Sequence, residues 1–231
     1  PIKENKDYKK KVKKLNELFK KAKAYNILSS KIDLKLESMK GLFNGNKNLY
    51  IHVNDASDMR DAIYFSKKYN IEKTIIVGGN DAADVSSLLK EYDMPVIINR
   101  VHRLPERSGG SIDEPYTQAL ELQKENILFC LSYRGEMEAM GSRNLPFTAG
   151  TTVAYGQEYE NAIMSITLNP AKILGISNSV GSIEQGKDAT FFISTGDALD
   201  MRTNNVENAF IKGVEIDLNN DQKILFNKYK N

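Results

Sequence analysis

Residues 161–194 read NAIMSITLNPAKILGISNSVGSIEQGKDATFFIS, and the identification of the fold turns on them. Ala162, Ile163, Ile166 and Leu168 recur at close to the helical period, which predicts a helix. Pro170 opens a second helix that Thr167 or Asn169 can cap, with Ile173 and Leu174 as its apolar last turn and Gly175 as its stop. Gly181, Gly186 and the polar residues between them predict a reversal into Thr190–Ile193, whose β-branched and aromatic residues read as a strand.

Downstream, Ala189–Ser194, Val206–Ile211 and Val214–Ile216 read as short β pieces with a turn at Lys212–Gly213, and Asp221 as the cap of a helix ending near Tyr229. Upstream, strands and helices alternate. Strands are predicted at Leu49–Val53, Thr74–Val77, Val96–Asn99 and Ile127–Leu131, and helices at Asp58–Tyr69, Asp81–Glu91 and Asp113–Lys124. This alternation implies parallel pairing with right-handed crossovers, and apolar runs such as TIIV and VII fit a sheet covered on both faces. Residues 100–112 and 133–150 read as long loops, the second leading into the helices through TAGTTVAYG.

At the start of the chain, eight lysines between Lys9 and Lys23 interleave with Val12, Leu15, Leu18, Phe19, Ala22 and Tyr25. Those apolar residues share one helical face, so the lysines form its wet side. A second helix is expected over Asp33–Leu42. Lys+Arg 32 against Asp+Glu 30 leaves a net charge of +2, so neither nucleic acid nor an anionic membrane is implied as partner. The single Cys130 excludes an internal disulfide and, within ILFCLSY, reads as a buried thiol. The first residue is Pro1 and not methionine, consistent with removal of a leader or an upstream domain; no compartment is indicated.

Working residues of a parallel α/β sheet sit at the carboxyl ends of its strands. His52 in YIHVN has an imidazole that can ligate a metal or rest in a hydrogen-bonded interior. Asn54, Asp55 and Asp58 follow it, Asp58 reading as a helix cap. Gly78–Gly79–Asn80 reads as a tight strand-to-helix turn or a weak phosphate cradle. Arg100, His102, Arg103 and Arg107 can clamp a substrate carboxylate, or simply form a solvated loop pairing with Asp113 and Glu114.

The strings TLNPAKILGI, VGSIEQGKDATFFI and VENAFIKGVEID, in this order, resemble the C-terminal end of the amidohydrolase superfamily, and most its imidazolonepropionase-related branch. The resemblance implies a metal-dependent (β/α)8 TIM-type barrel whose chain returns to a small β-domain shared with the N-terminus. It also implies hydrolysis of carbon–nitrogen bonds other than peptide bonds in small cyclic amides. The family places a His-x-His pair on the first barrel strand, often a lysine on the fourth, histidines on the fifth and sixth, and an aspartate on the eighth. By motif, His52 stands at the fifth-strand histidine, Gly78 at the sixth-strand histidine and Tyr133, after a retained Ser132, at the aspartate. The first-strand pair would precede Pro1. A catalytic zinc needs about three protein ligands and an open position for water, and a phenol, with an ordinary pKa of about 10, is a poor substitute for a carboxylate base.

The expected fold class is therefore α/β: the C-terminal half of a (β/α)8 barrel, with about four parallel β/α units and a short β return. Residues 1–48 would hold N-terminal helices, 49–176 the partial barrel, and 177–231 the β return and terminal helix. Four strands leave two raw sheet edges, so the chain is expected to be a C-terminal fragment needing the missing N-terminal barrel half, or to pair with a second copy. A divalent metal, zinc or iron, is implied by the resemblance but expected to be absent from this chain, with His52 a ligand only beside the upstream half. Arg100, His102 and Asn54 are the expected contacts to a small-molecule substrate, and the fragment itself is expected to be inactive. The alternative is a degenerate, non-catalytic relative acting as a small-molecule-binding or structural module.

Overall fold

The computed structural model describes residues 6–28, 32–106, 109–134 and 137–230. They form two compact units, Pro1–Val96 and Ile97–Asn231.

The first unit opens with α1 (Lys6–Leu28) and two single-turn helices, α2 (Leu34–Glu37) and α3 (Lys40–Phe43), in place of the one helix expected over 33–42. Asp33 caps α2 by accepting from the amides of Lys35 and Leu36. The lysines from Lys9 to Lys21 are exposed and Lys23 is half-buried, while Phe19 and Ala22 are buried; Leu15, expected on the packed face, is exposed. Strand β1 (Leu49–Val53), α4 (Ala56–Tyr69), β2 (Thr74–Gly78), a 3₁₀ turn at Ala82–Val85 and α5 (Ser86–Glu91) follow. Met59, Ala62, Ile63, Ser66 and Tyr69 of α4 are buried at i, i+3, i+4, i+7 and i+10, the spacing of one helical face. The rings of Phe19, Phe65 and Tyr69 meet at centroid distances of 4.9–5.5 Å, fastening α1 to α4. Tyr69 donates its hydroxyl proton to the side-chain oxygen of Asn16 at 2.8 Å.

Asp58 does not cap α4. The N-cap is Asp55, and the amide of Ala56 is satisfied by Asp81, which reaches back from the loop after β2 at 3.1 Å. Strands β1 and β2 pair in parallel with His52 opposite Val77 and Val53 opposite Gly78. Every residue of β2 is buried, whereas β1 alternates, with Tyr50 and His52 on its exposed side. Strand β3 (Val96–Ile98) spans the division between the units and pairs through Pro95 with Ile76 and through Ile98 with Ser132 after β4 (Phe129–Leu131). The parallel sheet has the order β1-β2-β3-β4.

In the second unit α6 (Glu114–Lys124) precedes β4. The stretch after β4, expected as loop, instead contains α7 (Glu138–Gly141), a 3₁₀ turn at Ser142–Asn144 and α8 (Leu145–Ala154). Pro146 near the amino end of α8 is tolerated there, because first-turn amides have no intrahelical acceptor. Then come α9 (Tyr159–Ile166) and α10 (Leu168–Leu174).

Helix α10 starts two residues before Pro170 with Thr167 at its N-cap position, as expected, although neither Thr167 nor Asn169 makes a side-chain capping bond. The Thr167 hydroxyl donates back to the carbonyl of Ile163, and the Asn169 amide reaches the carbonyl of Phe129 at 2.9 Å, tying α10 to β4. Gly175 ends α10 in the left-handed region, as expected; Ile173 is buried but Leu174 is exposed.

The return is an antiparallel sheet of β5 (Phe191–Ser194), β6 (Val206–Ile211) and β7 (Val214–Glu215) in that order. Lys212 and Gly213 both have positive φ in the tight turn between β6 and β7. Asn220, not Asp221, caps the last helix, α11 (Asp221–Tyr229), by accepting from the amide of Lys223.

Candidate functional site

The strand-end residues fall into two groups, one in each unit. In the first, β1 carries His52 on its exposed side while Asn54 follows just beyond the strand. The loop after β2 folds over that end: the amide of Gly79 donates to the carbonyl of Val53, and that of Asp81 to Asn54. Gly78 sits at φ +107°, and a Cβ there would strike the side-chain oxygen of Asn54 and the carbonyl of Val53. The Asn54 amide thus fills the space a side chain at 78 would need. Gly78 and Gly79 form a tight strand-to-helix turn.

In the second unit Arg100 and Tyr133 come together. The guanidinium carbon lies 5.9 Å from the ring centroid of Tyr133, within reach of a cation–π contact. The other support of the ring is Gly141 of α7, where a Cβ would overlap the Tyr133 ring carbons. Tyr133 is therefore a half-buried ring wedged beneath an arginine and against a helix backbone, an environment that holds a phenol as packing.

His102 points elsewhere. Its Nε2 lies 2.8 Å from the hydroxyl oxygen of Thr151 on α8, with the ring centroid of Tyr116 6.2 Å away. Burial first, and the positive charge of Arg100 second, hold the imidazole below its ordinary pKa, so it is neutral near pH 7. Arg103 turns back on the loop through the carbonyl of Leu104, and Arg107 lies outside the described residues.

His102 also borders a cleft of about 430 Å³ between α8, the start of α9 and the β5–β6 connection. Phe147, Val153, Leu199 and Met201 give it apolar walls. Tyr159 donates its hydroxyl proton to Oδ1 of Asp197 at 2.7 Å, and the amide of Leu199 donates to the same oxygen at 2.8 Å. The bond to Asp197, followed by burial, pushes the Tyr159 phenol up to about 12. Thr151, Tyr159 and Asp197 were not singled out in sequence, although the spacing of Asp197 and Leu199 in TGDALD is that of an Asx turn. A second cleft, of about 500 Å³ between β6, β7 and the start of α11, holds none of the strand-end residues.

The residues present do not fit a catalytic zinc of the implied kind. Among the described residues no group of three His, Cys, Asp or Glu side chains is placed to hold a metal. Position 78 offers no donor, and position 133 offers a wedged phenol. Also among the described residues, no helix is long and apolar enough to cross a membrane.

The profile of the Amidohydrolase family matches residues 103–216. No curated protein matches the sequence. Among solved structures, an amidohydrolase from Thermotoga maritima MSB8 superposes with a TM-score of 0.71 at 27% identity, covering 91% of this chain and 54% of that one. A Xaa-Pro dipeptidase with bound methionine gives 0.57 at 17% identity, covering 79% of this chain and 47% of that one. An adenosine deaminase from Xanthomonas campestris with bound zinc gives 0.51 at 16% identity, with coverages of 86% and 53%. At their identities the last two establish the fold alone. This chain spans about half the length of each. The similarity to the Amidohydrolase family lies over residues 103–216, and the α/β fold is shared with the amidohydrolase from Thermotoga maritima.

Proposed function

We propose that this chain is the C-terminal half of an imidazolonepropionase-related amidohydrolase that cleaves carbon–nitrogen bonds other than peptide bonds in small cyclic amides, and that this half alone is inactive. Its parts are the helices of residues 1–48, the partial barrel of 49–176 and the β return of 177–231. The Amidohydrolase family match over 103–216 supports the hydrolase reading. The observation that carries the inactivity is the turn at Gly78, where the Asn54 amide stands in the space of the expected histidine.

The preceding barrel half, or a second copy of the chain, is the proposed partner. Supporting this, Tyr50 and His52 are exposed on β1, and Phe192, Ile193, Ile211 and Val214 are exposed on the return sheet. A partner lying on either element would bury these side chains. In such an assembly His52 is the side chain of this half that can ligate zinc or iron, while Arg100, His102 and Asn54 contact the substrate.

The packing of Tyr133 between Arg100 and Gly141 favours a second reading, a degenerate relative that binds a small molecule without turning it over. Elemental analysis of the longest natural product containing this chain separates the two. About one tightly held zinc or iron per chain, lost in His52→Ala, together with hydrolysis of a cyclic amide, supports the enzyme. A stable fold with no stoichiometric metal and no hydrolysis supports the binding module.

A further inference from the structure

The Thr151 hydroxyl donates its one proton to the carbonyl of Phe147 at 3.0 Å. With that proton on the carbonyl, the Thr151 oxygen accepts from an Nε2–H of His102, the tautomer in which Nδ1 is an acceptor. The Tyr159 hydroxyl and the Leu199 amide are both spent on Oδ1 of Asp197. Oδ2 of Asp197 has no protein donor among the described residues.

Charge follows the same pattern. No lysine or arginine lines the cleft, while Asp197 and Asp200 do. Asp200 is met by Arg202, whose amide and guanidinium both bond it, so the uncompensated charge is the carboxylate of Asp197. The polar groups of the cleft thus have acceptors to spare and no donors, beside walls of Phe147, Val153, Leu199 and Met201. A volume of about 430 Å³ lies at the small end of the range for ligand sites. An anionic ligand would meet a carboxylate with no donor in return, whereas a cationic donor would meet one with an oxygen to accept.

We propose that this cleft binds a small primary ammonium compound with an apolar body, its N–H groups shared between Asp197 Oδ2 and His102 Nδ1. The class is the alkyl and arylalkyl monoamines. The site shares His102 with the hydrolase reading but rests on the cleft's own hydrogen bonds, and its test needs no turnover, so failures of the two are distinguishable.

The test is calorimetric and NMR titration of the whole 231-residue chain with phenethylammonium, against phenylethanol and phenylpropionate. Saturable binding of the ammonium, about tenfold tighter than of either control, is expected from one charge-assisted hydrogen bond, with a shift of the His102 imidazole resonances. Asp197→Asn keeps an oxygen for Tyr159 and Leu199 and should weaken binding about tenfold. Asp200→Asn should leave affinity within about twofold. Should Asp197→Asn fail to fold, the comparison of ammonium with alcohol on the unaltered chain decides alone. No saturation by about 10 mM, equal affinity for the alcohol, or an unshifted His102 would each overturn the proposal.

Discussion

Gly150, within α8, faces the carbonyl oxygen of Leu199 so closely that a Cβ at position 150 would collide with it. The contact seats the β5–β6 connection on the helix, and the Tyr159–Asp197 bond holds the same connection from α9. Gly150→Ala should therefore destabilise the fold. Alanine gains about 1 kcal/mol of helix propensity, but overpacking against backbone costs about 1–3 kcal/mol, and the carbonyl cannot rotate away as a side chain would. Thermal denaturation should show a lower Tm, and an unchanged or raised Tm would mean that the connection yields freely.

Ser66 on α4 and Thr74 on β2 share a hydrogen bond with both side chains buried. Ser66→Ala leaves the Thr74 hydroxyl buried without that partner, which should cost about 1–3 kcal/mol in urea denaturation. Ser66→Ala with Thr74→Val removes both polar groups, and the double variant should lose less than the sum of the two single losses. Strict additivity would show that the two hydroxyls do not depend on each other.

The Tyr159 phenol, held up to about 12 by Asp197, should titrate last among ordinary tyrosines. A pKa raised on folding adds stability that is fully present below the unfolded value of about 10 and is lost as pH rises through the folded value. Absorbance near 295 nm should accordingly show one late-ionising phenol that is missing in Tyr159→Phe. In Asp197→Asn it should titrate nearer its ordinary value. Identical titration curves for parent and Tyr159→Phe, apart from amplitude, would contradict this.

Burial pushes the Cys130 thiol up to about 12, so little thiolate exists at pH 8. Labelling by a disulfide reagent should be slow in the folded chain and complete at once in denaturant. Fast labelling under native conditions would show that β4 opens far more readily than its packing implies.

The alternation of strands and helices was legible because hydrophobic periodicity is a local property: TIIV and VII read as covered strands, and β2 is buried throughout. Helix ends were less so. Residues 133–150, rich in Gly, Ser, Arg and Pro, read as loop, yet the stretch holds short helices at Glu138–Gly141 and from Leu145, with Tyr133 lying against Gly141. Ala56 finds its acceptor in Asp81, 25 residues on, a partner that no capping rule written for neighbours can supply. Of the site residues, Arg100, His102 and Tyr133 were visible as types at strand ends, but the pairing of Arg100 with Tyr133 and of His102 with Thr151 was not.

The stretch from Asn161 to Ser194 divides the same way. Sequence alone determined its two helices, the stop at Gly175 and the strand that follows, because each depends on dihedral preferences and spacing within about one turn. Tertiary structure decided what its polar residues do. Asn169 reads as a cap and instead holds the carbonyl of Phe129, 40 residues earlier. A hydrogen-bond donor takes whichever acceptor packing brings within about 3 Å, and the placement of β4 beside α10 is a property of the folded core, not of the residues adjoining Asn169.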